Sequence, residues 1–318
     1  MPTLSEYAKL EMDEMKSGVL EAILTGDALM PFLQWKSIEG NSLLYNREST
    51  LPTAAFHDVG SEDWVATEAT YTQKTAALKI LGIQSKLDRY AKQTRSSVQS
   101  QEGIVYAGMA KALARKIAQY VIKGEPTSEA LAFEGLDSLV RGDTRMMAMD
   151  DGAVDGPGTA ETELTIDRLD AMIDEVYDGQ QKPDLLIMNS TMRRKLTSLA
   201  RAAGSGIVMD NVELFGYQIT RYDGIPIVVT NWVTNAETYD DAGTWPSSTA
   251  TSIFALVLGE ENQGHTMLHN GPVLTPDIQP LGTAFDGNND EYRMVVYLNA
   301  AVFSAERVAA LGGIDSAS

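Results

Sequence analysis

The chain has 318 residues, 44 acidic and 25 basic, for a formal net charge of -19. That balance argues against tight binding of nucleic acid through the bulk surface and leaves room only for weak contact. It has no cysteine, which excludes disulfides, thiolate metal sites and cysteine nucleophiles together. The length provides for one large domain or two modest ones with ample core. The start lacks a signal peptide's apolar centre and no apolar run is long enough to span a bilayer, so a cytoplasm-like compartment is expected.

The segment Leu4 to Leu24 reads as an acidic helix with a loose apolar stripe of Leu4, Tyr7, Leu10, Met15, Val19, Leu20 and Ile23. Such an arm needs a surface on which to bury that stripe, and another chain can supply it. Two short strands are expected around Ser42 to Tyr45 and Trp64 to Thr67, separated by a polar stretch with Pro52, His57 and Gly60. A two-stranded hairpin is marginal alone in water, so it should lie against something. From Tyr71 to Ile83 alternation predicts a half-buried strand with Ala76, Leu78 and Ile80 on one side and Lys79 opposite.

A long helix follows. Ser96 and Gln99 have capping-box spacing, then Val98, Val105, Met109, Leu113, Ile117 and Tyr120 recur at steps of three, four and seven until Gly124 and Pro126 stop the helix. Roughly 27 residues at about 1.5 Å each make a rod of about 40 Å, against a mean of about 11 or 12 residues for globular helices. Glu102 near its start, with Lys111, Arg115, Lys116 and Lys123 in its second half, suits the macrodipole. The basic face reads either as solvated or as a surface turned to an acidic neighbouring subunit or nucleic acid. Gly103 and Gly108 cost about 1 kcal/mol each relative to alanine, which predicts close packing or a bend.

Phe133-Glu134-Gly135-Leu136 comes next, then a Gly/Asp-rich linker over 150–161. Helices are expected at Ile166 to Tyr177 and Ser190 to Ala203, and strands at Asp184 to Met188, Tyr217 to Tyr222 and Ile225 to Thr230, with Asp223-Gly224 as a hairpin turn. A polar, proline-interrupted loop spans Asn235 to Ala250, and strands follow at Ile253 to Leu258, Gly264 to Leu268 and Glu291 to Phe303. Helices mixed with antiparallel strands indicate an α+β fold.

Residue chemistry offers no enzyme. His265 and His269 have HxxxH spacing, but on a strand positions four apart lie about 13 Å from each other and cannot share an ion. Asp286, Asn288 and Asp290 imitate the opening of a calcium loop, yet Glu291 stands where glycine is needed and Tyr297 where the last glutamate belongs. There is no Walker loop, Gly156-Pro157-Gly158 leads to Glu161 where a dinucleotide motif needs glycine, and no GxSxG elbow occurs. Asn189-Ser190-Thr191 reads as a helix start rather than a glycosylation site. No catalytic, metal-binding or cofactor-binding residue is singled out, and no cofactor is expected. A metal-dependent hydrolase built on acidic clusters is the rival of a different class.

In order, these parts resemble the major capsid proteins of tailed bacteriophages, the Hong Kong 97-type fold that encapsulin shells share. Asp63-Trp64-Val65-Ala66-Thr67-Glu68 resembles the tryptophan and acidic signature at the end of the family's extended loop. The strand KTAALKILGIQSKLDRYAKQ and the long helix follow in the family's order, and Phe133-Glu134-Gly135-Leu136 looks like its F-x-G-[LI] element. Further on, KPDLLIMNSTMRRKLTSLAR resembles the axial strand and helix, GIPIVVTNWV the "G-x-P-V" strand, and IFALVLGEENQGHTML the strand after it. The end, EYRMVVYLNAAVFSAERVAAL, is similar to the returning peripheral strand and a closing "A-x-x-L" turn. Each motif alone is weak; six in sequence are fairly specific.

The resemblance implies an N-terminal arm (1–38), an extended loop (39–74), a peripheral domain with a spine helix (75–146, the helix at about 97–123) and an axial domain (147–282). A returning peripheral strand (283–304) and a C-terminal segment (305–318) complete it. It implies a shell protein whose pentamers and hexamers form an icosahedral head around double-stranded DNA, in a virion assembled in the host cytoplasm. Inter-subunit contacts are expected at Leu44, Tyr45, Trp64, Val65 and Glu68 of the loop and at Leu10 and Leu20 of the arm, with Lys111, Arg115 and Lys116 as the basic face of the spine. Separate scaffolding, portal and decoration proteins would be partners, DNA a non-specific neighbour, and no membrane is involved. The chain departs from members that cross-link a loop lysine to a neighbour's asparagine, because no lysine lies between Lys36 and Lys74. It also begins close to the arm, so scaffolding is expected from a separate protein or not at all. The same fold admits an encapsulin-like compartment enclosing an enzyme cargo.

Overall fold

The computed structural model describes residues 28–50, 52–57, 67–90, 93, 101–142, 146–148, 162–176, 181–203, 209–214, 217–237, 250–271, 277–283 and 287–316. The expected arm helix, with Leu10 and Leu20, and the loop residues Trp64 and Val65 lie outside them, as do the linker 150–161 and the helix's capping box.

A five-stranded sheet is built around one long strand, β13 (Asn289–Val302). β4 (Lys79–Asp88) runs antiparallel along one edge of it. The other edge takes β12 (Asp277–Thr283) and then β11 (His265–Asn270), both antiparallel, and β1 (Trp35–Ile38) adds to β11 in parallel. Period-two alternation turns Tyr292, Met294, Val296 and Leu298 of β13 into the main core. Against that face lies the spine helix α1 (Gln101–Lys123), which buries Tyr106, Met109, Leu113, Ile117 and Val121. The predicted stripe is thus present at Met109, Leu113 and Ile117, with Val105 and Tyr120 half-buried at its margins. Tyr106 meets Tyr292 edge-on at 5.3 Å, and the Tyr292 hydroxyl donates to Glu102 Oε1 at 2.7 Å.

The seven-stranded sheet has the order β5-β14-β10-β6-β9-β8-β7. Its members are β5 (Met146–Ala148), β6 (Leu185–Met188), β7 (Met209–Leu214), β8 (Tyr217–Tyr222), β9 (Ile225–Val229), β10 (Ala250–Leu256) and β14 (Val308–Asp315). Its central strands are buried on both faces. Leu185 and Ile187 join the core shared with α1, whereas Leu186 and Met188 face the second core, as do Leu169 and Met172 of α3 (Ile166–Val176) and Met192 and Leu196 of α4 (Ser190–Ala203). The α4 N-terminus is capped by Asn189, whose Oδ1 accepts from Met192 N at 2.8 Å. Asp223 and Gly224 both have positive φ, 47° and 82°, as a two-residue hairpin turn requires.

Three sequence boundaries move. Leu29 and Met30 are fully buried in the main core and 35–38 is a strand of the first sheet, so 28–38 belongs to the folded body rather than to a free arm. β11 and β12, within 265–270 and 277–283, pair with β13, not with the seven-stranded sheet that holds the rest of the expected axial domain. The expected closing turn is a single 3-10 turn, Ala305–Arg307, followed by β14, which pairs with β10 in the middle of the second sheet. Burial on both faces removes the polar alternation that would have marked β14 in the sequence. The strand predicted over Tyr71 to Ile83 is also two strands. β3 (Thr70–Ala77) pairs with β2 (Ser42–Thr50), then the chain changes partner to β13 at Leu78. That step reverses the alternation and turns Ile80 outward, opposite Tyr297.

The two sheets meet at the C-terminal end of α1. Gly124 follows the helix, and Gly135, just before α2 (Leu136–Gly142), donates its N–H to Gly124 O at 2.7 Å. A Cβ on Gly135 would sit 2.4 Å from Gly124 N and 2.6 Å from Tyr120 O. This gives the F-x-G-L element its physical meaning: Phe133 and Leu136 are buried on either side of a backbone contact that only glycine permits. Next to it, Lys123 Nζ lies 2.8 Å from Glu237 Oε1 and 3.4 Å from Asp137 Oδ2, and Ser252 Oγ of β10 donates to Glu237 Oε2. Burial pushes the Glu237 carboxyl above the usual range, against the opposing pull of Lys123. Burial also works against the charge on Lys123, but the two carboxylates outweigh it and hold its pKa above the ordinary lysine value.

His265 and His269 lie on β11, as the strand reading required, and both are buried. Among the described residues no cluster of three or more His, Asp or Glu is placed to hold a metal ion. Burial of His265 lowers its pKa to about 4.

Two outcomes are expected. Gly135→Ala forces a methyl group into backbone and should cost about 1–3 kcal/mol, as overpacked sites do, read as a lower denaturation midpoint with the slope unchanged. For His265 the folded chain stays neutral while the unfolded chain takes up a proton below about pH 6.5. Stability should therefore be independent of this group above that pH and fall by on the order of 3 kcal/mol as pH drops toward 4. His265→Leu should flatten that part of the pH–stability curve; an unchanged slope in the variant contradicts the assignment.

Candidate assembly surface

Strands β2 and β3 form a ribbon separate from both sheets. Its root is fixed in three ways. Arg47, buried, donates from Nε and Nη2 to Val302 O at 3.0 and 2.7 Å. Asn299 Nδ2 donates to Ala77 O at 2.6 Å, and Leu78 N donates to Asn41 O at 2.8 Å. Below these bonds a small apolar cluster of Ile38, Ala76, Leu268 and Ala301 takes in Leu43, Tyr45, Leu78 and Phe303. Two of these anchors are on β13 and none is on α1.

Alternation then gives the ribbon two unlike faces. Leu43, Tyr45 and Arg47 point to the root cluster. Leu44 and Tyr71 point away and are 59% and 65% exposed. Farther out, Phe56 is fully exposed, and Thr67 Oγ1 accepts from Thr53 N at 2.9 Å, holding the two sides of the loop together beyond the ladder.

The expected contact residues therefore separate. Leu44 is on the outward face and Glu68 is exposed beyond the ladder. Tyr45 is half-buried: it packs edge-on against Phe303 of the same chain at 5.0 Å, and burial raises its phenol pKa. Adjacent strand positions face opposite ways, so Leu44 and Tyr45 cannot share a surface. Trp64, Val65, Leu10 and Leu20 lie outside the described residues. Sequence reading missed Arg47, Asn299 and Phe303; a lone arginine inside a polar strand was the only signal, and it reads equally well as solvated.

Lys111, Arg115 and Lys116 are all exposed on the side of α1 that faces away from the core. Lys116 Nζ donates to Tyr120 Oη at 3.0 Å and stands 4.2 Å from the centre of that ring. The three line a shallow groove of about 420 Å³ with Gly108, Ala112 and Trp232, the last from the loop after β9. A Cβ on Gly108 would meet nothing within 4 Å, so packing inside the subunit does not explain that glycine.

The arrangement holds out a ribbon and leaves a helix face open, which is the geometry of a subunit made for contact with copies of itself. Comparison with known proteins agrees. The model of the phage capsid family matches residues 12–245, well over half of the chain. No curated protein matches the chain. Among solved structures, the holo-SrpI encapsulin complex from Synechococcus elongatus superposes with a TM-score of 0.66 at 16% identity, over 91% of this chain and 88% of that one. A structure from Microbacterium phage Oxtober96 gives 0.61 at 13% identity, over 90% and 91% of the two chains. The capsid of a native GTA particle gives 0.61 at 15% identity, over 91% and 90%. At these identities the likeness is one of fold, an α+β subunit of the Hong Kong 97 type. Family membership rests on the family model, whose match runs from before β1 to beyond β9: the chain belongs to the phage capsid family, as a shell-forming major capsid protein.

Proposed function

We propose that this subunit joins copies of itself as pentamers and hexamers of an icosahedral phage head that encloses double-stranded DNA. Assembly takes place in the host cytoplasm and the product is the capsid of the virion. The five-stranded sheet with α1 is the peripheral domain and the seven-stranded sheet is the axial domain, which meets its copies around the five-fold and six-fold centres.

The observation that carries this reading is the ribbon. Two strands are marginal alone in water, and this pair keeps Leu44 and Tyr71 in solvent while its other face is anchored. Leu44, Trp64, Val65 and Glu68 lie across a neighbour, and Leu10 and Leu20 of the arm bury on another subunit. Obligate shells of this kind bury on the order of 2,000 Å² or more per interface. The role is structural, with no catalytic step. The negative charge of the chain, -19, keeps packaged phosphates from adhering to the wall. Scaffolding, portal and decoration proteins are separate partners.

A second reading has its own observation: the superposition on an encapsulin over most of both chains. The same plate would then enclose an enzyme. Shell contents separate the two, nucleic acid for a phage head and one co-purifying enzyme for a compartment.

Purified protein examined by sizing and electron microscopy should give closed shells; a stable monomer at all salt and protein concentrations would sink the proposal. Leu44→Asp and Trp64→Ala should each keep the subunit's circular dichroism and melting behaviour while reducing shell yield. Loss of one buried apolar side chain, about 1.5–3 kcal/mol, corresponds to roughly tenfold to a hundredfold in association. A variant that unfolds as a monomer yet still assembles would show the residue to be structural.

A further inference from the structure

Asn270-Gly271 is the only Asn-Gly pair in the chain, and it stands where β11 ends. Asn270 is exposed and pairs with Ile38 of β1. Gly271 follows with a φ of 90°, and a Cβ built on it would meet nothing within 4 Å, so nothing crowds the peptide on that side. Other asparagines have their carboxamides tied down. Asn189 caps α4 through Met192 N and donates to Thr251 Oγ1 at 2.9 Å, while Asn299 accepts from Ala300 N and donates to Ala77 O. The carboxamide of Asn270 has no hydrogen-bond partner among the described residues.

The peptide that joins Asn270 to Gly271 has a polar neighbour. His269, buried, holds Nδ1 at 3.4 Å from Asn270 O, the carbonyl of that same peptide. With its hydrogen on Nδ1 the ring donates to this oxygen. The bond draws electron density out of the amide and makes the Gly271 N–H more acidic. Trp35 stands beside the ring, with centroids 6.3 Å apart.

We infer that Asn270 is a self-modification site, at which the folded chain converts its own asparagine into an acid and His269 promotes the step. Gly271 N gives up its proton and bonds to Cγ of Asn270; the Cγ–Nδ2 bond breaks, and Nδ2 leaves with a proton as ammonia. Water, the one co-reactant, then opens the cyclic imide at either carbonyl and leaves aspartate or isoaspartate. Isoaspartate inserts a carbon into the main chain between the last β1–β11 pair and the Gly271 carbonyl, which accepts from Ser37 Oγ. β1 is thereby loosened at this end, beside the Ile38 and Leu268 cluster under the ribbon. This chemistry does not depend on the shell reading above.

Full-length protein held folded at neutral pH in heavy-oxygen water, then digested and read by mass spectrometry, supplies the test. Position 270 should take up the label as aspartyl and isoaspartyl products, no more slowly than in the same chain unfolded in urea, while Asn189 and Asn299 stay intact. His269→Phe should slow the folded chain roughly threefold to tenfold, the effect of one hydrogen bond lost from the transition state. A ring that merely held the strand in place would, when replaced, leave the rate unchanged or raise it. Amide hydrogen exchange over 35–38 should be faster in the aged protein than in the fresh one. A folded wild-type rate below the unfolded one overturns self-modification, whether or not the variant folds. An unchanged or faster reaction in His269→Phe overturns the part given to His269, and unchanged exchange overturns the effect on β1.

Discussion

A two-stranded ribbon in water does not hold its own shape, and the account of this molecule depends on how the β2–β3 ribbon is clamped at its root. The clamp is the far end of β13. Val302 O receives both bonds from Arg47, Asn299 reaches Ala77 O, and Phe303 closes on Tyr45. Burying the arginine is tolerable because its guanidinium finds a carbonyl rather than an empty cavity. With one face fixed there, the other face is left to solvent by strand alternation alone. The outward position of Leu44 and Tyr71 thus follows from the anchoring of Tyr45 and Arg47.

The same strand organises the rest. β13 gives one edge to β4 and the other to β12 and β11, and its inward side chains form the bed for α1. The end of α1 then meets the second sheet through the Gly124–Gly135 contact and the Lys123, Asp137, Glu237 and Ser252 group. Removing one partner of a buried pair is far costlier than the pair is worth, so this junction resists independent movement of the sheets. Ribbon, spine and seven-stranded sheet are thus joined by direct contacts, the ribbon to the body through the end of β13 and the spine to the second sheet through Lys123 and Glu237.

Much of this was legible in the sequence where one face of an element is wet. α4 and the β8–β9 hairpin lie where periodicity and turn chemistry put them, and α1 has its core stripe. Reading found the two-sided strands β6 and β10 from their apolar runs but failed at β14, whose Ala- and Gly-rich sequence carries little strand preference, and where a strand changes partner. β14 lacks polar alternation because both its faces are covered, and Leu78 hides a switch from β2 to β13 that reverses the side of Ile80. Of the candidate contact residues that the resemblance implied, Leu44 and the basic positions of α1 are exposed, whereas Tyr45 packs on Phe303, more than 250 positions away in the chain, a contact that leaves no trace in local pattern. The F-x-G-L element was visible as a motif, but the reason for its glycine, a backbone contact with Gly124, exists only in three dimensions.

The central claim is that the apolar surface this subunit leaves open is covered by other copies of the same chain. Electron cryomicroscopy of shells assembled from the purified full-length protein tests it most directly, at a resolution that traces side chains. The account predicts the outward face of the ribbon, with Leu44 and Tyr71, buried against an adjacent subunit while Arg47 keeps its bonds to Val302 of its own chain. A shell in which the ribbon folds back on its own body, or stands in solvent with Leu44 uncovered, would contradict it.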